Sequence, residues 1–215
     1  MLNETRFMGD LLGSYVLASR ALQTEGPMLL ACRARSISTR EAVLCAPVAG
    51  TVGERLSLSF QELGKLRGVI SRRIENGFAA ELELDEAERE TLDTRIQWLK
   101  RRALRTVVER REHKRVLPRD PNALLLLGRG RRIDCLILDM SRSGVAVSAD
   151  ILLKPGALVA VGSVPGRVVR QFETGFALQF TELQDLEALE GRLTLKTDSH
   201  RLNAARQLGL VGEGH

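Results

Sequence analysis

Residues 134–162 read DCLILDMSRSGVAVSADILLKPGALVAVG, and residues 31–59 read ACRARSISTREAVLCAPVAGTVGERLSLS. Laid over each other at a fixed offset of 103, the two stretches bring Cys32 onto Cys135, Ser38 onto Ser141, Ala46 onto Ala149 and Gly53 onto Gly156. A second pair occurs at an offset of 98. There GVISRRIENGFAAEL (68–82) lies over GRVVRQFETGFALQF (166–180), so that Arg72 meets Arg170, Glu75 meets Glu173, and Gly77, Phe78 and Ala79 meet Gly175, Phe176 and Ala177. The change of offset requires a five-residue insertion near FQELG in the first copy. A hairpin turn is the place where a β-unit accepts extra residues most easily. The chain is two degenerate copies of one unit.

Each unit reads as β-rich. Short runs of Val, Leu, Ile and Ala, some alternating as in VAVSADILL, are punctuated by SRSG, KPG, VPG and ETG, which place glycine or proline at the bends. Several short strands at this spacing fit a small closed barrel or a sandwich. Each copy then ends in a helical pattern, DEAERETLDTRIQWLKRRALRTVVE (85–109) and TELQDLEALEGRL (181–193). In the first of these, Leu92, Ile96, Leu99 and Ala103 recur at helical spacing and form one apolar stripe. Trp98 falls beside the stripe and is expected to be a core or inter-domain anchor.

Composition bounds the function. The chain has 215 residues, of which 44% are hydrophobic and 27% charged, enough apolar content for two small domains. The longest apolar runs are too short to span a bilayer, and MLNETRFMGDLL lacks the pattern of a signal peptide, so the expected location is the cytoplasm. Cys32, Cys45 and Cys135 lie in apolar, strand-like contexts without metal-ligand spacing and read as reduced core residues. The net charge of +5 points to an anionic partner. Aromatic residues make up only 4%, which excludes a single-strand nucleic-acid platform of interleaved basic and aromatic side chains.

The positive charge has an address. RREHKR (110–115), ahead of Pro118, stands where the helical pattern of the first unit gives way to the strands of the second, and carries Arg111 and Arg115 at R-x-x-x-R spacing with Arg110 just before. One hairpin further on comes DMSRSG, with Asp139, Ser141 and Gly144. Taken alone, an i, i+4 arginine pair is a solvated helix face and D-x-S-x-x-G is a turn. In this order, at the head of a small β-domain ending in TGFALQF, they form a combination. It resembles the PilZ domain, a bacterial receptor for cyclic di-GMP, whose two signatures are RxxxR and [DN]xSxxG. The resemblance covers about residues 110–193.

It implies a mainly β fold of two small six-stranded antiparallel PilZ-like barrels joined by an α-helix, the second barrel followed by a C-terminal helix. The expected division is 1–84 for a degenerate barrel, 85–109 for the connecting helix, 110–196 for the motif-bearing domain and 197–215 for a tail. It also implies that Arg110, Arg111, Arg115, Asp139, Ser141 and Gly144 bind cyclic di-GMP, with Arg142 a possible addition. The chemistry suits such a ligand. Arginine forks onto phosphate oxygens or onto guanine O6 and N7, and its flat guanidinium stacks on a purine. The Asp139 carboxylate accepts from guanine N–H groups, the Ser141 hydroxyl meets a phosphate or a base, and Gly144 permits positive φ or close approach of the backbone to the ligand. In the family, an arginine preceding RxxxR accompanies a mutually intercalated ligand dimer, so Arg110 predicts two ligands per domain.

The first copy departs from the pattern. Its counterpart of DMSRSG is SISTRE, in which Ser36 replaces the acid and Glu41 the glycine, leaving Ser38. Carrying the offset of 103 back toward the N-terminus sets Met8 and Leu12 opposite Arg111 and Arg115. This copy is expected to bind no ligand and to pack against the second domain or present a surface to a protein.

No nucleophile–base pair, phosphate-cradling GxxxxGK[ST] loop or metal-spaced histidine cluster occurs, and His113 has no partner pattern, so neither a catalytic residue nor a metal or other cofactor is expected. The leading reading is a non-enzymatic receptor that changes the angle between its barrels and signals to a downstream protein in motility, exopolysaccharide or biofilm control. A ligand-free protein scaffold and a basic nucleic-acid binder using RRALR and RREHKR are the alternatives; the intact motif argues against the first, and the lack of a helix-turn-helix or RNA module against the second.

Overall fold

The computed structural model describes residues 5–22, 28–102 and 116–194 and contains two closed six-stranded antiparallel barrels, each followed by a helix. The first barrel comprises β1 (Arg6–Leu17), β2 (Leu30–Ser38), β3 (Glu41–Cys45), β4 (Arg55–Phe60), β5 (Gly64–Ile74) and β6 (Gly77–Leu82), closed in the order β1-β2-β3-β6-β5-β4. The second comprises β7 (Asn122–Leu126), β8 (Arg132–Ser141), β9 (Gly144–Ala149), β10 (Leu158–Val161), β11 (Val164–Phe172) and β12 (Gly175–Phe180), closed in the same order element for element. Period-2 patterning fixes which face turns inward. On β4, Leu56, Leu58 and Phe60 are buried while Arg55 is exposed; on β11, Val164 and Val168 are buried while Pro165 and Arg167 are exposed.

The repeat extends to irregularities. The pairing of β2 with β3 shifts between Ala34 and Ser36, and that of β8 with β9 shifts between Ile137 and Asp139. The pairing of β5 with β6 shifts between Ile70 and Arg72, and that of β11 with β12 between Val168 and Arg170. These are the same positions in the two copies, and each shift inserts one residue that bends its strand and re-aims the side chains beyond it. The five extra residues of the first copy lie in the β4–β5 hairpin, which takes 20 residues from Arg55 to Ile74 against 15 from Leu158 to Phe172. Leu63 at its tip is buried in the first core, and its carbonyl accepts from Arg95 Nη1 at 2.5 Å.

Helix α1 (Glu86–Arg102) starts on a capping box: Asp85 Oδ1 accepts from the Glu88 amide at 2.8 Å, and Glu88 Oε2 accepts from the Asp85 amide at 3.0 Å. Leu92, Ile96 and Leu99 join the first barrel's core, as the stripe predicts, while Ala103 lies outside the described residues. The helix is therefore a lid on the first barrel before it is a connector. Trp98 is 48% exposed, a correction to the anchor expected from the sequence: one step round the helix from Leu99, it looks outward beside Gln61, Glu62 and Arg95. Helix α2 (Leu186–Leu193) is capped by Asp185, whose side chain accepts from the Glu187 amide, and seats Leu189 and Leu193 in the second core. All three cysteines are free and buried, and burial pushes the thiols of Cys32 and Cys135 well above their ordinary pKa.

The two barrels meet along β2 and β8. One face of β2 sends Cys32, Ala34 and Ile37 into its own core; the other sends Ala31 and Arg33 to the neighbouring barrel. Ala31, Cys45, Leu136, Leu138 and Ala146 form a small apolar cluster there, flanked by Phe172. Polar contacts surround it. Arg33, 1% exposed, donates to the carbonyls of Pro118 at 2.8 Å and Ile137 at 3.2 Å, and Arg35 donates to the carbonyl of Arg119 at 2.7 Å. Arg20 forks onto both carboxylate oxygens of Asp150 at 2.5 Å each, and the Ala31 amide donates to Ser148 Oγ at 3.0 Å. The expectation that the first copy packs against the second holds.

Candidate functional site

The DMSRSG stretch spans the end of β8, a two-residue turn at Arg142 and Ser143, and the start of β9. Its serine shapes the turn: Ser141 Oγ lies 3.3 Å from Ser143 Oγ and donates to the Gly144 carbonyl at 3.4 Å. The bulge before Asp139 turns this carboxylate onto the same outer corner as Ser141, and the matching bulge on β11 brings Arg170 to it from a strand three places away around the barrel. Asp139, Ser141, Ser143, Gly144, Arg170 and Gln179 line one cavity of about 340 Å³ on the outside of the second barrel. It offers a carboxylate, a guanidinium, two hydroxyls and a side-chain amide around one opening, over an apolar floor that includes Val145 and Leu178. Such a mixture suits a ligand with both flat and charged parts.

Three of the predicted residues, Asp139, Ser141 and Gly144, are thus brought together. Arg110, Arg111 and Arg115 lie outside the described residues. The chain immediately after them is placed, because Val116 and Met140 exchange both backbone hydrogen bonds, at 2.8 and 3.0 Å. Arg142 does not line the cavity; it is exposed and its Nε donates to the Gln184 carbonyl at 3.3 Å. Of the two needs expected of Gly144, the structure removes positive φ and adds another. Its φ is not in the left-handed region, and a Cβ there would stand 2.3 Å from the Leu178 carbonyl oxygen, so glycine is required by the approach of β12 to β9.

The sequence reading missed Ser143, Arg170 and Gln179 as site residues. Arg170 left a signal, since an arginine recurs at that place in both copies, but its distance of some thirty positions from DMSRSG hid the shared corner until the barrel closed. The structure also corrects the register of the first copy. Phe7 pairs with Ile37 as Val116 pairs with Met140, and Ile37 is the counterpart of Met140. Counting back one residue, the counterpart of Arg115 is Arg6, not Leu12. The slip arises because the connection from Leu17 to Leu30 in the first copy is seven residues longer than that from Leu126 to Arg132 in the second, which no offset carried back from residue 31 could register.

No curated protein matches the chain in sequence. Among solved structures, PlzA of Borreliella burgdorferi in complex with c-di-GMP shares 12% identity over 85% of each chain, with a TM-score of 0.27. The Bacillus subtilis inhibitor of motility MotI (DgrA) shares 13% over 94% of this chain and 98% of that one, with a TM-score of 0.27. YcgR of Escherichia coli in complex with c-di-GMP shares 14% over 94% and 88%, with a TM-score of 0.25. The family model of the PilZ domain matches residues 109–194, the whole of the second barrel with its preceding arginine segment and closing helix. The first barrel repeats the same strand order and bulges without the motifs; residues 109–194 are a PilZ domain.

Proposed function

We propose that this chain is a non-enzymatic receptor for cyclic di-GMP, with the ligand held in the second barrel's cavity and the first barrel acting as the element that reads the change. One observation carries the proposal: Asp139, Ser141 and Gly144 of the family motif line a single cavity together with Arg170. In this reading Arg110, Arg111 and Arg115 close over the ligand and supply the forks for phosphate and guanine, and Arg170 adds a cation from the opposite strand pair. Asp139 accepts from guanine N–H groups, and two ligands bind as an intercalated dimer on account of Arg110. The functional division runs 1–84, 85–109, 110–196 and a tail from 197.

Transmission rests on the segment after Arg115. The carbonyls of Pro118 and Arg119 are held by Arg33 and Arg35 of the first barrel, and the Arg119 amide donates to Glu190 of α2 at 2.6 Å. A ligand that draws in the arginine segment pulls on a strip that both barrels grip, which biases the angle between them and the surface a downstream protein meets. No helix among the described residues is long and apolar enough to cross a membrane. The receptor is expected in the cytoplasm.

Calorimetric titration with cyclic di-GMP, beside Arg111→Ala and Asp139→Ala, tests this. Micromolar or tighter binding with a stoichiometry of two, abolished by Arg111→Ala and weakened by Asp139→Ala, is the expected result. One ligand per chain removes the dimer, and no heat from a folded protein removes the receptor in favour of a protein scaffold.

A further inference from the structure

The first barrel keeps the corner that the second uses. By strand register, Ser36, Ser38 and Glu41 stand where Asp139, Ser141 and Gly144 stand, Arg72 stands where Arg170 does, and Arg6 is the counterpart of Arg115. The bulges that aim Asp139 and Arg170 are repeated before Ser36 and Arg72, so these side chains converge in the same way.

What differs is the occupant. Arg6 Nη1 donates to Ser36 Oγ at 2.8 Å and pairs with Glu41 Oε2 at 3.5 Å, while Arg72 donates to Glu41 Oε1. The glutamate carboxylate therefore lies between two guanidiniums and gives one oxygen to each. Ser38 fixes the hairpin from which it projects, its hydroxyl accepting from the Arg40 and Glu41 amides at 3.2 and 3.1 Å. In the second barrel the same position is glycine, and the exposed side chain of Arg170 makes no hydrogen bond or ion pair among the described residues.

We propose that the first barrel retains an anion site of the phosphate or phosphodiester class and that the Glu41 carboxylate fills it from within. A carboxylate with its two oxygens shared between two arginines has the charge and the fork geometry of the two non-bridging oxygens of a phosphodiester. The side chain thus satisfies the arginines and repels any anion that would replace it. The first barrel is an anion-binding module converted into a constant domain: its corner has the same charge state whether or not the second barrel is loaded, which lets it serve as the fixed body against which the second moves.

The test uses full-length protein carrying Arg110→Ala, Arg111→Ala, Arg115→Ala and Arg170→Ala, so that the second corner is silenced toward anions, with Glu41 intact or replaced by Gly or by Gln. Thermal unfolding is followed against inorganic pyrophosphate at constant ionic strength. With Glu41 intact, pyrophosphate should leave Tm unchanged. With Glu41→Gly, Tm should fall in its absence and recover by about 2–4 °C at saturation, as expected for a ligand that binds only the folded state. Adding Arg72→Ala should abolish the recovery. Glu41→Gln keeps the length of the side chain and removes its charge; it should respond in the same direction and covers the case in which the glycine variant does not fold. An equal gain with Glu41 intact, or no gain in either variant, overturns the proposal. Because pyrophosphate is the probe, a failure of cyclic di-GMP to bind the second barrel bears on the ligand reading alone.

Discussion

Arg33 is the test of whether the barrels behave as one body. Its guanidinium is buried at the interface, where desolvation lowers its pKa from the ordinary arginine value while the carboxylates of Asp10 and Asp120 favour the charged form. Its two interface hydrogen bonds go to the carbonyls of Pro118 and Ile137. Replacing it with methionine keeps much of the volume and removes both donors. Each buried carbonyl left without a partner costs about 1–3 kcal/mol, and relief from burying a cation returns part of this, so a net loss of about 2–3 kcal/mol is expected. The loss falls on the contact between the barrels rather than on either core. The assay exploits Trp98, the single tryptophan of the chain, which sits on α1 against the first barrel. In urea, its fluorescence reports that barrel while far-ultraviolet circular dichroism reports both. The two signals should coincide in the wild-type protein and separate in Arg33→Met, with one midpoint shifted to lower denaturant. Coincident transitions at an unchanged midpoint would refute the claim that Arg33 couples the barrels.

Other substitutions probe the cores and the corners. Arg72 and then Arg6 hold the Glu41 carboxyl below its ordinary pKa, outweighing burial; Glu81 is its neighbour across the ladder. A depressed carboxylate contributes stability that is complete above the unfolded value of about 4.3 and is lost as pH falls through the lower folded value. The stability gap between wild type and Glu41→Gln should therefore be constant above about pH 5 and shrink below about pH 4 in acid titrations followed by urea unfolding. Gly144→Ala drives a Cβ against the Leu178 carbonyl oxygen and should destabilise the protein by about 1–3 kcal/mol in urea unfolding, ligand absent; Ser141→Ala should cost less than about 1.5 kcal/mol. In the first core, the Tyr15 hydroxyl donates to the Val48 carbonyl at 2.6 Å and accepts from the Val48 amide at 3.2 Å, so Tyr15→Phe should lose about 1–2 kcal/mol while leaving ligand titrations unchanged.

Much of the site was legible because hairpins are local. DMSRSG carries its own turn chemistry, and a strand pair joined by two residues must bring its ends together, so Asp139, Ser141 and Gly144 could be grouped before any tertiary contact was known. Arg170 could not, because its place beside Asp139 depends on the cyclic order in which β9, β12 and β11 pair. The reason for Gly144 was likewise hidden, since the atom that forbids a Cβ belongs to Leu178, 34 residues further along the chain.

The amino-acid sequence by itself determined the repeat, its β character, the hairpin that takes the insertion and the motif at the head of the second copy, for these depend on period-2 patterning and turn residues that act within a few positions. Only the tertiary structure decided what β2 is for. ACRAR alternates small residues with Arg33 and Arg35, and Arg33 is buried because the second barrel supplies the carbonyls of Pro118 and Ile137 to receive its charge. Whether such an arginine faces solvent or an interface is set by groups 85 and 104 residues away, and nothing in its own neighbourhood can signal them.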